Sequence, residues 1–305
     1  MYGIATGMVL EGECLDMEGH RITYPYRGRK AALATKHQKE RVLGPVLYNG
    51  VGLEIYVPSD LDTDALGTFT GEVDRTGTPR EVAVRKARWG MSVTGLPFGL
   101  ASEGSFGPDP QLVFVPVDHE LLVFIDDERG IELVEQIVSS HTNFSHIAIK
   151  TFEQLGDFLV HAHFPSHGLI VRPNSGLVPG FLFKGITSSD ILQEAVERCA
   201  SVSEDGLAHV ETDMRAHMNP TRQRVLYEVA MGLSRRLTAA CPQCGTPGWG
   251  VVDALKGLPC EWCGGETEWV MTEIYGCLLC DHREEYPRSD GMRTAPPAQC
   301  PWCNP

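Results

Sequence analysis

The stretch KAALATKHQKERVLGPVLYNGVGLEIYVP, residues 30–58, decides the fold class. It starts with AALAT, a short run of small apolar residues that predicts a strand, and it ends with GLEIYVP, which predicts a second strand. Between them, KERVLGPVL has the composition of a short helix despite Gly44 and Pro45. A β-α-β unit therefore begins here, and it indicates an α/β sheet.

The alternation of helix-like and strand-like segments continues downstream of this unit. A helix is predicted by REVAVRKARWGMS, and PFGLA after it predicts a short strand that leads into a glycine-rich loop, SEGSFG. Another strand is predicted by HELLVFIDD, and another helix by ERGIELVEQIVSS. The most regular helix is NPTRQRVLYEVAMGLSRRL, in which Asn219 can cap the helix and Pro220 suits its first position. Together these segments predict a mixed sheet flanked by helices.

The composition limits the classes of partner. The chain has 305 residues and a formal net charge of -14, which argues against a broad basic surface for nucleic acid or anionic membrane. A polyanionic ligand must therefore be bound by a local cluster of cations. No signal peptide or bilayer-spanning run is apparent in the sequence, so we expect a cytoplasmic protein without a membrane partner.

The cysteines are concentrated near the end of the chain. Eight of the ten fall in four CxxC pairs, an arrangement typical of metal ligation rather than of disulfides. Two CxxC turns converge on one ion and complete a closed tetrahedral site, which predicts two structural zinc ions. The predicted ligands are Cys241, Cys244, Cys260, Cys263, Cys277, Cys280, Cys300 and Cys303. Pairing of neighbouring turns is the simplest arrangement, and pairing of the first turn with the third is the alternative.

Zinc ribbons often contact nucleic acid, but the charge of this tail argues against that. From residue 239 onward there are nine Asp or Glu and four Lys or Arg, a net charge of -5 (4 minus 9). Four tryptophans of the tail can either stack on bases or pack a small core. They are Trp249, Trp262, Trp269 and Trp302. We expect the tail to stabilise the protein, or to contact a protein partner or a second copy of the chain.

A site for anions is predicted just before the long helix. The segment DMRAHMNPTR places Arg215, His217 and Arg222 beside the N-terminus of that helix. Helix N-termini attract phosphate because their amide groups are unpaired and the helix dipole is positive there. We therefore expect these three side chains to contact a phosphate-bearing ligand.

Two blocks of the sequence resemble the inosine triphosphate pyrophosphatase family, enzymes that clear non-canonical nucleoside triphosphates. TPREVAVRKAR, residues 78–88, is similar to the family's TxxExAxxKAR block, and TGLPFGLASEGSF, residues 94–106, to its TGLPxxADDSGL block. The family's paired acids fall on Ser102 and Glu103. ATKHQKE, residues 34–40, resembles the ATxNxxK loop, and GEVDRTG, residues 71–77, the EVEETG segment.

The resemblance implies a Mg²⁺-dependent active site. Glu72 and Glu103 would hold the ion as the catalytic carboxylates, and the ion would present a water to the phosphorus. A set of residues from the first loop and from the helix block would bind the substrate and neutralise its phosphates. These residues are Thr35, Lys36, His37, Lys39 and Lys86.

The whole chain also resembles an uncharacterised bacterial family that carries a C-terminal double zinc ribbon. We divide it into an N-terminal extension (1–28), an α/β nucleotide-binding or hydrolase-like domain similar to the pyrophosphatase fold (29–238), and a double four-cysteine zinc ribbon (239–305). The leading hypothesis is a Mg²⁺-dependent hydrolase of a nucleoside triphosphate or related nucleotide. The alternative is a non-catalytic adaptor that binds a nucleotide or a protein and carries a structural zinc tail.

Overall fold

The computed structural model describes residues 24–59, 61, 77–109, 115–176 and 178–304. The predicted carboxylate Glu72 and most of the predicted extension lie outside these residues. In chain order the elements are β1 (Arg29–Leu33), α1 (Glu40–Val51), β2 (Leu53–Tyr56), α2 (Pro79–Thr94), β3 (Phe98–Pro108), β4 (Pro116–Asp126), β5 (Ile131–Ser139), β6 (His146–Ile149), α3 (Gly156–His161), β7 (Leu169–Pro173), β8 (Phe183–Ile186), α4 (Ser189–Val202), β9 (Ala208–Thr212), α5 (Pro220–Thr238), β10 (Gly250–Lys256), β11 (Val270–Gly276) and β12 (Arg283–Pro287).

A five-stranded mixed sheet forms the first layer, in the order β2-β1-β3-β4-β5. Strand β1 is parallel to both β2 and β3, whereas β3, β4 and β5 form an antiparallel meander. Helices α1 and α5 pack on one face around Leu100 and Phe124, and α2 packs on the other face against Ala101 and Val123. The predicted β-α-β unit and the mixed sheet flanked by helices are confirmed.

The two helices that carry predicted site residues have well-defined starts. Thr78 and Glu81 form a capping box at the start of α2, each side chain bonding the other's backbone amide. Asn219 caps α5 through a hydrogen bond to the amide of Arg222, 2.9 Å long, and Pro220 occupies the first turn. The predicted start of α5 is confirmed.

Two predictions about local structure are wrong. The predicted glycine-rich loop is the second half of β3, which pairs with β4 without interruption from Phe98↔Asp126 to Pro108↔Pro116. The segment predicted as a helix from residue 128 onward is β5, with Ile131 and Leu133 alternating into the core. Its β-branched residues favour a strand, and a tight turn that ends in Gly130 makes β4 and β5 a hairpin.

A second sheet follows the first along the chain. Its order is β6-β9-β7-β8, and every pairing in it is antiparallel. Helix α4 and the short α3 contribute to a separate hydrophobic cluster around Leu169, Leu192 and Val196. The junction between β9 and α5 returns the chain from this second sheet to the first one.

A third sheet, β10-β11-β12, lies in the cysteine-rich tail and is also antiparallel. In the part of the chain that the structure covers, no helix has both the length and the apolar character needed to cross a bilayer.

Candidate functional site

The candidate site lies on the second half of β3 and the first half of β4, where the sheet extends beyond β1. Strand β1 ends at Leu33 opposite Leu100, so the following loop turns over the flank of β3. Lys39, at the end of that loop, is 8% exposed and donates a hydrogen bond of 2.9 Å from Nζ to the carbonyl oxygen of Ser102. The predicted first loop therefore reaches the strand that carries Glu103.

Lys86 and Glu103 form a buried ion pair on the α2 face of the sheet. The distance from Lys86 Nζ to Glu103 Oε1 is 2.5 Å, and the two side chains are 11% and 4% exposed. A charge is stable in such surroundings only when it is paired, because burial removes its water. Glu103 is therefore already engaged by a cation of the protein.

Arg222 and Glu120 form a second buried ion pair on the opposite face. Arg222 Nε donates to Glu120 Oε1 at 2.5 Å, and the side chains are 4% and 0% exposed. Gly104 makes room for this pair: a Cβ there would lie 2.5 Å from Glu120 Oε1 and as close to the guanidinium of Arg222. The alternation of side chains along β3 thus directs Glu103 toward α2, while Gly104 underlies the α5 side.

Asp118 is a buried acid that the sequence analysis did not select. It is 0% exposed, and neither of its carboxyl oxygens accepts a hydrogen bond. Glu120 Oε2 is likewise buried without a hydrogen-bond partner. Burial and the neighbouring Glu120 raise the pKa of Asp118 to about 8. A proton shared between the two acids would satisfy two of these three oxygens, and a cation in its place would be able to contact all three. The available signal was the spacing of Asp118 and Glu120, two apart on a strand face that continues into the core.

Lys39 and two histidines complete the cluster. Burial, and next the charge of Arg222, lower the pKa of Lys39 to about 8. Burial, and next the charge of Lys39, lower the pKa of His37 to about 3, and burial together with Arg215 lowers that of His217. The rings of His37 and His217 stack with their centroids 5.4 Å apart. Both histidines are therefore neutral at pH 7, because burial, and next the cations beside them, disfavour a positive charge.

Arg215 is oriented at the edge of the cluster by Asp213. Its Nε and Nη2 donate to the two carboxylate oxygens of Asp213, at 2.9 Å to Oδ1 and 2.6 Å to Oδ2. Asp213 is 0% exposed, so this bidentate pair fixes the guanidinium in one direction. In addition to burial, the positive charge of Arg215 contributes to the lowered pKa values of His37 and His217.

The structure brings most of the predicted site residues together. Lys39 interacts electrostatically with residues from β3, β4, α2 and α5, which shows that these segments converge. Thr35 is buried in the same loop and accepts a hydrogen bond from the amide of His37, whereas the side chain of Lys36 is exposed. The predicted residues that lie in or beside the cluster are Thr35, His37, Lys39, Lys86, Glu103, Arg215, His217 and Arg222.

The eight cysteines of the tail form two groups of four. Within each group, the four sulfur atoms lie within 4.8 Å of one another. Sulfur pairs that join two turns are 3.5 to 3.8 Å apart. Four sulfurs at about 2.3 Å from a tetrahedral zinc ion are about 3.8 Å from each other, so both groups fit zinc. The proximal cysteine group is Cys241, Cys244, Cys277 and Cys280, and the distal cysteine group is Cys260, Cys263, Cys300 and Cys303.

The pairing of neighbouring CxxC turns is therefore wrong, and the interleaved alternative is confirmed. The antiparallel strands β10, β11 and β12 explain this arrangement. Each strand crosses the sheet, so the first and third turns meet at one end, and the second and fourth meet at the other. A seven-residue strand such as β10 separates the two ends by about 20 Å.

Backbone amides support the sulfurs in both groups. The amides of Trp262 and Gly265 donate to Cys260 Sγ and Cys263 Sγ, at 3.4 Å in each case. In the proximal group, the amides of Leu279 and Cys280 donate to Cys277 Sγ at 3.3 and 3.4 Å. Hydrogen bonds of this kind favour the thiolate form that zinc requires. The two groups can therefore bind two zinc ions.

The proximal cysteine group lies against the α/β domain. Leu278, inside the third CxxC turn, packs on the core of the first sheet. The backbone of Arg236 in α5 accepts a hydrogen bond from the amide of Gly248, and its Nη2 donates to the carbonyl of Gly248 at 3.0 Å. The distal cysteine group is at the other end of the tail sheet.

Comparison with known protein families gives one match that covers most of the chain. Residues 86–305 match the model of a domain of unknown function, DUF6671. The matched region begins at Lys86 and includes both buried ion pairs, the β9–α5 junction and all eight zinc ligands. A search of curated proteins gives no match.

Proposed function

We propose that this chain, which belongs to the DUF6671 family, is a Mg²⁺-dependent hydrolase of a nucleoside triphosphate or a related phosphate compound. The observation that carries the proposal is the convergence of cations from three separate segments on β3 and β4. Lys39 comes from the first loop, Lys86 from α2, and Arg222 from α5. The chain has 26 Lys and Arg residues against 40 Asp and Glu, and it buries these three cations at the same part of the sheet.

The charges of the cluster favour an anionic ligand. Three carboxylates are each paired with one cation: Glu103 with Lys86, Glu120 with Arg222, and Asp213 with Arg215. Lys39 is the further cation, and its hydrogen bond goes to a neutral carbonyl group. Because burial already disfavours its charge, a phosphate oxygen beside Lys39 would stabilise the charged form.

The carboxyl oxygens of Asp118 and Glu120 fit a magnesium ion better than those of Glu103. Mg²⁺ binds oxygen ligands, usually one or two carboxylates together with water and substrate phosphates. Three oxygens of Asp118 and Glu120 lack donors, whereas Glu103 binds Lys86. Asp118 would release its proton when a divalent cation binds, since the ion takes over the role of the proton. The structure therefore favours Asp118 over the predicted Glu103 as a ligand.

The residues of the chain would act through position and charge. Phosphoryl transfer depends mainly on electrostatic stabilisation of the phosphate oxygens and on alignment of the attacking water. Lys39 and Arg215 would contact the phosphates, and Arg222 would hold Glu120 in place. A bound Mg²⁺ would neutralise the charge that develops on the leaving phosphate. The stacked, neutral pair of His37 and His217 would line the site without repelling the cations.

The test is phosphate and pyrophosphate release from a panel of nucleoside triphosphates with Mg²⁺. We expect the Lys39→Met variant to lose about 100-fold or more in kcat/KM, because it removes one positioned charge from a buried site. Methionine keeps the length of the side chain, and a buried charge replaced by an apolar group is often tolerated by the fold. Lys30→Met is the matched control, because Lys30 lies on β1 with its side chain 59% exposed.

Release that requires Mg²⁺, persists in Lys30→Met and is lost in Lys39→Met and Glu120→Gln would support the proposal. Glu103→Gln separates the two sets of carboxylates, and we expect it to lose less activity than Glu120→Gln. No release from any nucleotide by the folded wild-type protein would overturn the hydrolase. Binding of a nucleotide without turnover would then favour the adaptor alternative.

A further inference from the structure

Two tryptophans at the distal cysteine group are almost fully exposed. The side chains of Trp262 and Trp302 are 77% and 76% exposed, more than most large apolar residues of the described chain. Of the two alternatives for the tail tryptophans, packing of a small core therefore does not hold for these two. Tryptophan is costly to expose to water and is enriched where proteins bind other molecules.

The two side chains occupy equivalent positions around one metal group. Trp262 is the third residue of CEWC and Trp302 the third residue of CPWC, and these two turns share the distal cysteine group. Trp302 lies against the backbone at Gly265, where a Cβ would be 2.9 Å from its Cδ1 atom. Both indoles are attached to turns that a zinc ion in the distal cysteine group would hold rigid, so little conformational entropy would be lost when they contact a partner.

The charge around these tryptophans is negative. Glu261 and Glu266, both exposed, flank Trp262 in the sequence, and the whole tail has a net charge of -5 (4 minus 9). A zinc ion with four thiolates adds two negative charges to each metal group. Phosphate groups are repelled by such a surface, whereas Arg and Lys side chains are attracted both by the carboxylates and by the faces of the indoles.

From these observations we propose that the distal cysteine group presents a docking surface, the tryptophan tip, for a basic segment of a partner protein. The tip consists of Trp262, Trp302, Glu261 and Glu266. Arg or Lys side chains of the partner stack on the two indoles, while the glutamates pair with its remaining positive charges. The proposal is independent of the proposed hydrolase, because the tip and the hydrolase site share no residue.

The experiment measures binding of the zinc-loaded full chain to a fluorescein-labelled, unstructured peptide of repeated Arg-Gly-Gly units. Each of Trp262→Ala and Trp302→Ala should weaken binding about three- to fivefold, the effect of one exposed cation–π contact. Leu279→Ala is the matched control: it is the third residue of CLLC in the proximal cysteine group and is 59% exposed. We expect this control to bind as the wild type does.

Two further measurements make the outcome decisive. Glu261→Lys should weaken binding of the basic peptide and should leave the zinc content unchanged, which separates charge from folding. A peptide with Glu in place of Arg should not bind. The proposal is overturned if the basic peptide does not bind, if Leu279→Ala weakens binding as much as the tryptophan variants, or if single-stranded RNA binds more tightly than the peptide through the same tryptophans.

Discussion

Substitution of Gly104 by alanine tests the geometry of the candidate site directly. The new methyl group would lie 2.5 Å from Glu120 Oε1 and would also contact the guanidinium of Arg222. Both atoms belong to buried side chains that are 0% and 4% exposed, so the pair has little space to move. Overpacking of this kind costs about 1–3 kcal/mol in unfolding free energy, and separation of a buried pair costs about 3–5 kcal/mol.

The assay is urea unfolding followed by circular dichroism, with Gly107→Ala as the control in the same strand. A Cβ at Gly107 has nothing within 4 Å, so this variant removes a glycine without a clash. We expect Gly107→Ala to change stability by less than about 1 kcal/mol, and in the stabilising direction. Equal unfolding free energies for Gly104→Ala and Gly107→Ala would refute the close packing of Arg222 and Glu120 over β3.

Two further predictions concern the histidine pair and the metal groups. His37 has a pKa of about 3 in the folded protein, against 6.5 unfolded, so its contribution to stability is present above pH 6.5 and is lost as the pH falls toward 3. In acid unfolding, His37→Gln should remove a slope of up to about 1.4 kcal/mol per pH unit; an unchanged slope would contradict this. Cys277→Ser and Cys300→Ser should each lower zinc from two ions to one, and only Cys277→Ser should lower the melting temperature of the α/β domain, since Leu278 packs on its core. Equal melting temperatures would contradict this second expectation.

The sequence is sufficient to predict the elements whose signals are local. The start of α5 follows from Asn219 and Pro220, because a cap and a proline at the first turn act within a few residues. The eight cysteines of the two metal-binding groups follow from CxxC spacing for the same reason. The pairing of the turns depends on the direction of three strands, and spacing along the chain contains no information about that direction.

The site residues that the sequence analysis missed depend on contacts across the sheet. The glycine-rich composition of SEGSFG suggests a loop. In the structure, however, Gly104 belongs to strand β3, and the side chain of Arg222 from α5 lies against its backbone. In the sequence, Asp118 and Glu120 resemble ordinary acids of an exposed strand. In the structure they are buried beneath Arg222, which lies about a hundred residues later in the chain. The spacing of Asp118 and Glu120 places two acids on one strand face, but it contains no information about the contact with Arg222, which joins distant parts of the chain.

The opposite pKa shifts of Lys39 and Asp118 have a joint consequence for the site. Burial disfavours charge on both groups, which lowers the pKa of Lys39 and raises that of Asp118, each to about 8. Below pH 8, Lys39 is charged and Asp118 is neutral, and the site is at its most positive. Above pH 8, Lys39 loses its positive charge and Asp118 gains a negative one, so the site repels a phosphate. In the proposed hydrolase, a Mg²⁺ ion that replaces the proton on Asp118 would restore the positive charge, and metal and phosphate would therefore support each other's binding.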